Sequence, residues 1–194
     1  PALKEADLII LNFPNNPTTS VLSLEELGEW VKFALKYDIV LLNDECYSEI
    51  YVGEKPPSLL EASLHVGNES FKNVLVINSI SKRSSAPGLR SGFIAGDEKI
   101  LNGYMKYRTY VGAGIPLPLQ QASAVAWNDM EHVELTRAQY AKNLRLAHEI
   151  LGVQEVNATF YVWLEVGDDL EFTRNLYARK NIKVLPGRFL GRAG

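Results

Sequence analysis

Cysteine is nearly missing: the 194 residues contain one, Cys46. A lone thiol excludes an intramolecular disulfide and suits a reducing compartment. Long apolar runs are missing too. None approaches the roughly 18 residues that span a bilayer, so no membrane partner is expected. The opening PALKEADLII does not have a signal-peptide layout. Nor is there an excess of positive charge. Twenty Lys and Arg stand against 23 Asp and Glu, a formal net charge of −3. No face is rich enough in cations to neutralise many phosphates, which argues against a nucleic-acid partner. Histidine is scarce, and His65, His132 and His148 lie far apart. Glu45 and Glu49 therefore lack the neighbours a metal site needs, and no metal is expected. The sequons at Asn68 and Asn157 are read as chance matches.

What is present is core-forming material. At 46% hydrophobic and 22% charged residues, the chain is too apolar to be disordered and long enough to bury a sizeable core. Both ends read as cut. A short polar turn precedes a buried strand, and LPGRFLGRAG closes on a glycine-rich loop leading nowhere. The expectation is an internal fragment of a longer protein.

DLIILNF (7–13), DIVLLNDE (38–45), NVLVINSIS (73–81) and SGFIAG (91–96) are short apolar runs. They suit the interior of a parallel sheet covered by helices on both faces. Between the first two, Ser23 and Glu26 form an S-x-x-E capping box. Leu24, Leu27, Val31 and Leu35 then recur at helical spacing, giving a βαβ unit. From 98 to 150 the pattern is helical, broken at GAGIPLPLQ by Gly112, Gly114, Pro116 and Pro118, with one long helix over 131–150. ATFYVWLEV (158–166) and IKVLP read as strands flanking a helix, DLEFTRNLYARK. A domain boundary is placed within the long helix, near residue 140.

Three strand ends carry polar residues foreign to a core. They are Asn15 and Asn16 in PNNPT, Asp44 and Tyr47 in NDECY, and Ser79, Ser81, Lys82 and Arg90 in SISKRSSAPGLR. Open α/β sheets bind ligands outside the carboxyl ends of their strands. An amide, a carboxylate, a phenol, an amine and a guanidinium at one edge can hold and activate an aromatic aldehyde phosphate. Each residue alone has an ordinary reading: Lys82 as a solvated strand end, Asp44 as a turn cap, Asn16 as turn chemistry before Pro17. Their shared registry favours the joint one.

These segments carry a resemblance. NFPNNPT, DECYSEIY and SISKRSSAPGLRSG are similar, in that order, to the N-P-x-N-P-T-G, D-E-x-Y-x-x-[LI] and S-x-S-K-x₇-R-x-G segments of the class I/II aminotransferases. TFYVWLEV and VLPGRFLG look like the small-domain segments that follow. The likeness to these pyridoxal-phosphate (PLP) enzymes of fold type I covers essentially the whole chain. It implies an α/β fold: a mostly parallel sheet flanked by helices, with 1–140 in the PLP-binding large domain and 141–194 starting a smaller α+β C-terminal domain.

The resemblance also implies roles. Lys82 would form the Schiff base with PLP and serve as the catalytic acid and base. Asp44 would pair with the ring nitrogen, Tyr47 and Asn16 would bond the phenolic oxygen, and Ser79 and Arg90 would bind the phosphate. It implies amino-acid and 2-oxo-acid substrates, a homodimer with shared active sites, and the cytoplasm. The wording of SKRSSAPGLRSGFIAGD looks closest to enzymes acting on N-succinyldiaminopimelate with glutamate, in lysine biosynthesis; Arg108 is a candidate second cation for such a dicarboxylate. Thr19 departs from the family's usual glycine, and Cys46 fills a place commonly valine or alanine, read as a small buried hydrophobe. The family's early phosphate-binding loop and its substrate-carboxylate arginine have no counterpart in these residues; neither Arg188 nor Arg192 is assigned that role. A PLP-dependent lyase, or a PLP-binding sensor domain of a transcription regulator, are the alternatives.

Overall fold

The computed structural model describes residues 2–112 and 114–191. Arg192 lies outside the described residues. The chain forms two compact units, one up to residue 162 and one from 163 onward.

The first unit is built on a four-stranded sheet in the order β1-β2-β3-β4. Strands β1 (Leu8–Asn12), β2 (Val40–Asp44) and β3 (Val74–Ser79) run parallel, and β4 (Gly92–Gly96) returns antiparallel to β3. The β1–β2 connection holds α1 (Leu24–Tyr37), the long crossover that a parallel pair requires. The capping box forms: Ser23 Oγ accepts from Glu26 N, and Glu26 accepts from Ser23 N at 2.8 Å. The helix ends where Asp38 turns left-handed, φ 54°. Leu27, Val31 and Ala34 of α1 pack on Ile9, Leu11, Leu41, Val74 and Val76 to make the core. Each large member stabilises the fold by about 1.5–3 kcal/mol through its burial.

The chain covers β1 on one face only. Ile9 and Leu11 are buried, whereas Leu8 and Ile10 are 48% and 66% exposed among the described residues. The two-sided burial expected from the apolar run is therefore not seen at this strand. Helix α2 (Leu59–His65) went unread in the sequence because it is so short; its own capping box, Ser58 with Glu61, starts it.

Glu45 anchors that start. Its Oε1 accepts from Leu59 N, Ser58 Oγ and Asn43 Nδ2, at 2.8, 3.2 and 3.2 Å. Burial raises the pKa of this carboxyl, against the three hydrogen bonds that oppose it. A raised folded pKa means that protonation favours the folded state, so this contribution is lost as pH rises through the folded value. Glu45→Gln keeps the accepting oxygen and removes the charge. It is expected to change stability by less than about 1 kcal/mol and to flatten the fall in stability that the wild type shows as pH rises above the ordinary glutamate range. Glu45→Leu strands three donors and is expected to cost about 2–3 kcal/mol in denaturant unfolding.

After β3 come α3 (Ile80–Arg83), α4 (Glu98–Tyr110), α5 (Leu117–Asn128) and α6 (Glu131–Leu151). Pro118 does not break the pattern as expected. It occupies the first turn of α5, where its missing N–H costs no hydrogen bond. No strand forms over 158–166, where Ala158 makes only an isolated bridge to Tyr51, nor over IKVLP. Alternation alone does not make a strand: among the described residues no neighbouring strand runs beside either segment to complete a ladder. In the second unit α7 (Asp169–Lys180) is capped by Asp168, and Arg188 pairs with Asp168 and Asp169. Among the described residues no helix is long and apolar enough to cross a membrane.

Candidate active site

Register places the polar strand ends side by side. Asn12 pairs with Asp44 across β1–β2, and Asp44 with Ile77 across β2–β3. From that line Asn16 lies four residues on, Tyr47 three, Ser79 two and Lys82 five. Ser79 in turn pairs with Gly92 of β4, which brings the backbone of Arg90 to the same edge. The six residues to which the resemblance gives roles therefore have their backbones at the carboxyl edge of the parallel strands.

The turn after β1 is stitched down from both sides. Buried Asn43 bonds Phe13 twice, to its N–H at 3.0 Å and its carbonyl at 3.1 Å. Asn12 Oδ1 accepts from the Asn16 N–H at 2.9 Å. Thr19 takes φ 66°, the left-handed backbone a glycine would take without strain, so the departure at this position leaves the turn possible. Asn16 Nδ2 then donates to the Tyr47 hydroxyl at 3.2 Å.

Tyr47 is buried, 4% exposed, and its hydroxyl also meets that of Tyr161 at 2.7 Å. Burial first, and the Tyr161 hydrogen bond second, push its phenol well above the ordinary tyrosine range, so it stays protonated. Asp44 Oδ1 accepts from the Cys46 N–H at 3.0 Å.

Lys82 Nζ lies 5.8 Å from the centre of the Tyr47 ring and 5.6 Å from that of Phe160. Both are within cation–π range. Among the described residues no carboxylate pairs with the amine, and no hydrogen bond ties it down. Its neighbour does the opposite. Arg83 is 3% exposed and donates to the carbonyls of Ala126, Trp127 and Asp129 at the end of α5, with its guanidinium 5.0 Å from the Trp127 ring centre. Lys82 is thus presented to the edge by a turn whose next residue is bolted into the protein. Arg90 is exposed, has left-handed backbone (φ 50°), and donates to the Pro87 carbonyl at 3.0 Å.

Cys46 is half-buried rather than fully buried, with Sγ 3.3 Å from Ser79 Oγ. Burial first, and the Asp44 hydrogen bond next, push its thiol up to about 11. Alkylation by iodoacetamide near neutral pH is expected to be about a hundredfold slower than for an exposed thiol, and to speed up tenfold per pH unit. Fast labelling at neutral pH contradicts that environment.

Asn43, Phe160 and Tyr161 escaped the sequence reading. Asn43 looks like one more polar residue ending a strand, and the aromatic pair looked like strand alternation. The signal that could have found them is positional: they matter through the groups they hold.

The set fits an aromatic aldehyde phosphate on chemical grounds. It offers an unpaired amine, a carboxylate, a protonated phenol braced by an amide, a serine hydroxyl at the end of β3, and an exposed arginine in the turn before β4. These are an attacking group, a partner for a ring cation, a donor to a phenolic oxygen, and phosphate donors.

Comparison with known proteins agrees with this chemistry. The family model for aminotransferase class I and II matches residues 1–193. The 4-dedimethylamino-4-oxo-anhydrotetracycline transaminase OxyQ of Streptomyces rimosus is 36% identical over 96% of the chain and 53% of its own length. The LL-diaminopimelate aminotransferase of Natranaerobius thermophilus is 34% identical over 99% of the chain and 51% of its own. The crystal structure of aminotransferase AspB from Helicobacter pylori superposes with a TM-score of 0.95 at 55% identity, covering 98% of this chain and 51% of that one. The chain thus spans about half the length of the relatives it matches.

Proposed function

Because the chain belongs to the class I and II aminotransferase family, whose members depend on pyridoxal phosphate, we propose that the whole protein moves an amino group between an amino acid and a 2-oxo acid by a ping-pong mechanism. The observation that carries this reading is the unpaired Lys82 amine, within cation–π reach of the adjacent Tyr47 and Phe160 rings at the edge that also presents Asp44 and Asn16.

When bound, pyridoxal phosphate supplies an aldehyde carbon open to attack by an amine and a ring that spreads the electron pair left on a substrate α carbon. The protein's residues do the rest. Lys82 Nζ would hold the cofactor and, freed from it, would carry a proton to and from the substrate α carbon. Asp44 would hold positive charge on the ring nitrogen. Tyr47, braced by Asn16, would donate to the phenolic oxygen. Ser79 and Arg90 would bind the phosphate, Arg90 as a two-pronged donor. Residues 1–140 are assigned to the cofactor-binding large domain and 141–194 to the small domain, and the working unit to a homodimer.

The finer reading is exchange between N-succinyldiaminopimelate and 2-oxoglutarate. Relatives named for LL-diaminopimelate support a substrate of that diamino dicarboxylate class. The test mixes the whole protein, loaded with pyridoxal phosphate, with glutamate alone. Loss of the visible band together with one equivalent of 2-oxoglutarate supports the reading. A band that no amino acid alters favours the sensor. Ranking N-succinyl-LL-diaminopimelate against LL-diaminopimelate by kcat/KM then decides the substrate.

A further inference from the structure

The bond between the hydroxyls of Tyr47 and Tyr161 has no part in the roles assigned so far. It spans 114 residues of sequence at 2.7 Å, and the backbone positions it with care. Val52 N donates to the Asn157 carbonyl and Thr159 N to the Ile50 carbonyl, both at 2.8 Å. Ile50 N donates back to the Tyr47 carbonyl at 2.9 Å. These bonds join the segment before Tyr161 to the segment after Tyr47. Thr159 is fully buried at φ 68°, a costly conformation for a β-branched residue, and its Oγ1 accepts from the Tyr161 N–H at 3.2 Å. The rings of Tyr47 and Tyr161 meet edge to face, with centres 5.7 Å apart.

The number of protons then decides what the bond does. A phenol oxygen donates one hydrogen bond and accepts others. Asn16 Nδ2 can only donate, so the Tyr47 oxygen accepts there. If Tyr47 spent its hydrogen on Tyr161, none would remain for a ligand oxygen. If Tyr161 donates instead, the Tyr47 oxygen is filled by two donors and its own hydrogen is free to point outward. A hydroxyl that accepts hydrogen bonds is also a stronger donor.

Resting on the functional reading above, we propose that Tyr161 is a positioning residue: by donating to Tyr47 it aims the Tyr47 hydrogen at the phenolic oxygen of the bound cofactor. The titratable groups facing the Tyr47 hydroxyl are Tyr161, Cys46 and Asp44, with Lys82 across its ring. A hydrogen bond given to the phenolic oxygen favours its anion, so the proton that governs the visible band leaves at lower pH. Weaker donation moves that midpoint up.

The test uses the whole protein loaded with pyridoxal phosphate, as wild type, Tyr161→Phe, Tyr47→Phe and the double variant. Phenylalanine at 161 retains the ring packing and removes only the hydroxyl. Tyr161→Phe is expected to raise the band's midpoint by roughly half a pH unit and to weaken pyridoxal phosphate binding roughly threefold, the size of one modest hydrogen bond. Tyr47→Phe should shift both further. In the Tyr47→Phe background the second change should add nothing, because Tyr161 acts through Tyr47. Wild-type values in Tyr161→Phe overturn the proposal, as does an equal shift with and without Tyr47. A wild-type protein that shows no band at all overturns the functional reading itself and this inference with it.

Discussion

Lys82→Ala in the whole protein is expected to lose transaminase turnover by roughly a thousandfold or more, the scale on which a positioned proton carrier acts, while leaving stability almost untouched. The amine makes no ion pair or hydrogen bond among the described residues. Removing it therefore strands no partner, and a change within about 0.5–1 kcal/mol is expected. Lys82→Arg should be equally inactive. A guanidinium keeps its proton at any working pH and cannot serve as nucleophile or base. Initial rates of the loaded proteins check the first half, and thermal midpoints of the cofactor-free proteins check the second, since a bound cofactor itself stabilises the folded state. A variant that melts early would mean that Lys82 is structural after all.

One residue along, the expectation reverses. Arg83→Met should destabilise by about 2–4 kcal/mol, because it leaves the carbonyls of Ala126, Trp127 and Asp129 without their donor in a dry site. Arg83 is a cation at the carboxyl end of α5, where the helix dipole favours it, and it bridges acceptors that a compact ammonium cannot all reach. Arg83→Lys should fall between the two. Denaturant midpoints test this, with an unchanged slope showing that the folded and unfolded states are otherwise the same. A midpoint like wild type would show that the carbonyls find other donors. Adjacent cations, one aimed out and one bolted in, should thus give opposite phenotypes.

Much of this site was legible because strand ends leave a simple trace. Asn16, Asp44, Tyr47, Ser79 and Lys82 each end or follow an apolar run, and a parallel register carries such residues to one edge whatever the details, whereas Arg90 precedes the run of the antiparallel β4. The capping box of α1 was readable for a similar reason: its two hydrogen bonds join residues three apart. Distant partners left no such trace. Tyr161 reaches Tyr47 only because residues 50–52 bond to 157–159, and no periodicity encodes that meeting. Arg83 and Lys82 look alike in sequence; only the end of α5, more than 40 residues on, separates their fates. The strands expected at 158–166 and at IKVLP failed because alternation records which side chains could share a face and says nothing of a neighbour to pair with. Exposure at Leu8 and Ile10 makes the same point for β1.

The most direct measurement reduces the pyridoxal-phosphate-loaded whole protein with borohydride and maps the modified lysine by mass spectrometry. The account predicts one pyridoxyl adduct, on Lys82 Nζ, abolished in Lys82→Ala. An adduct on a different lysine, or none, contradicts it.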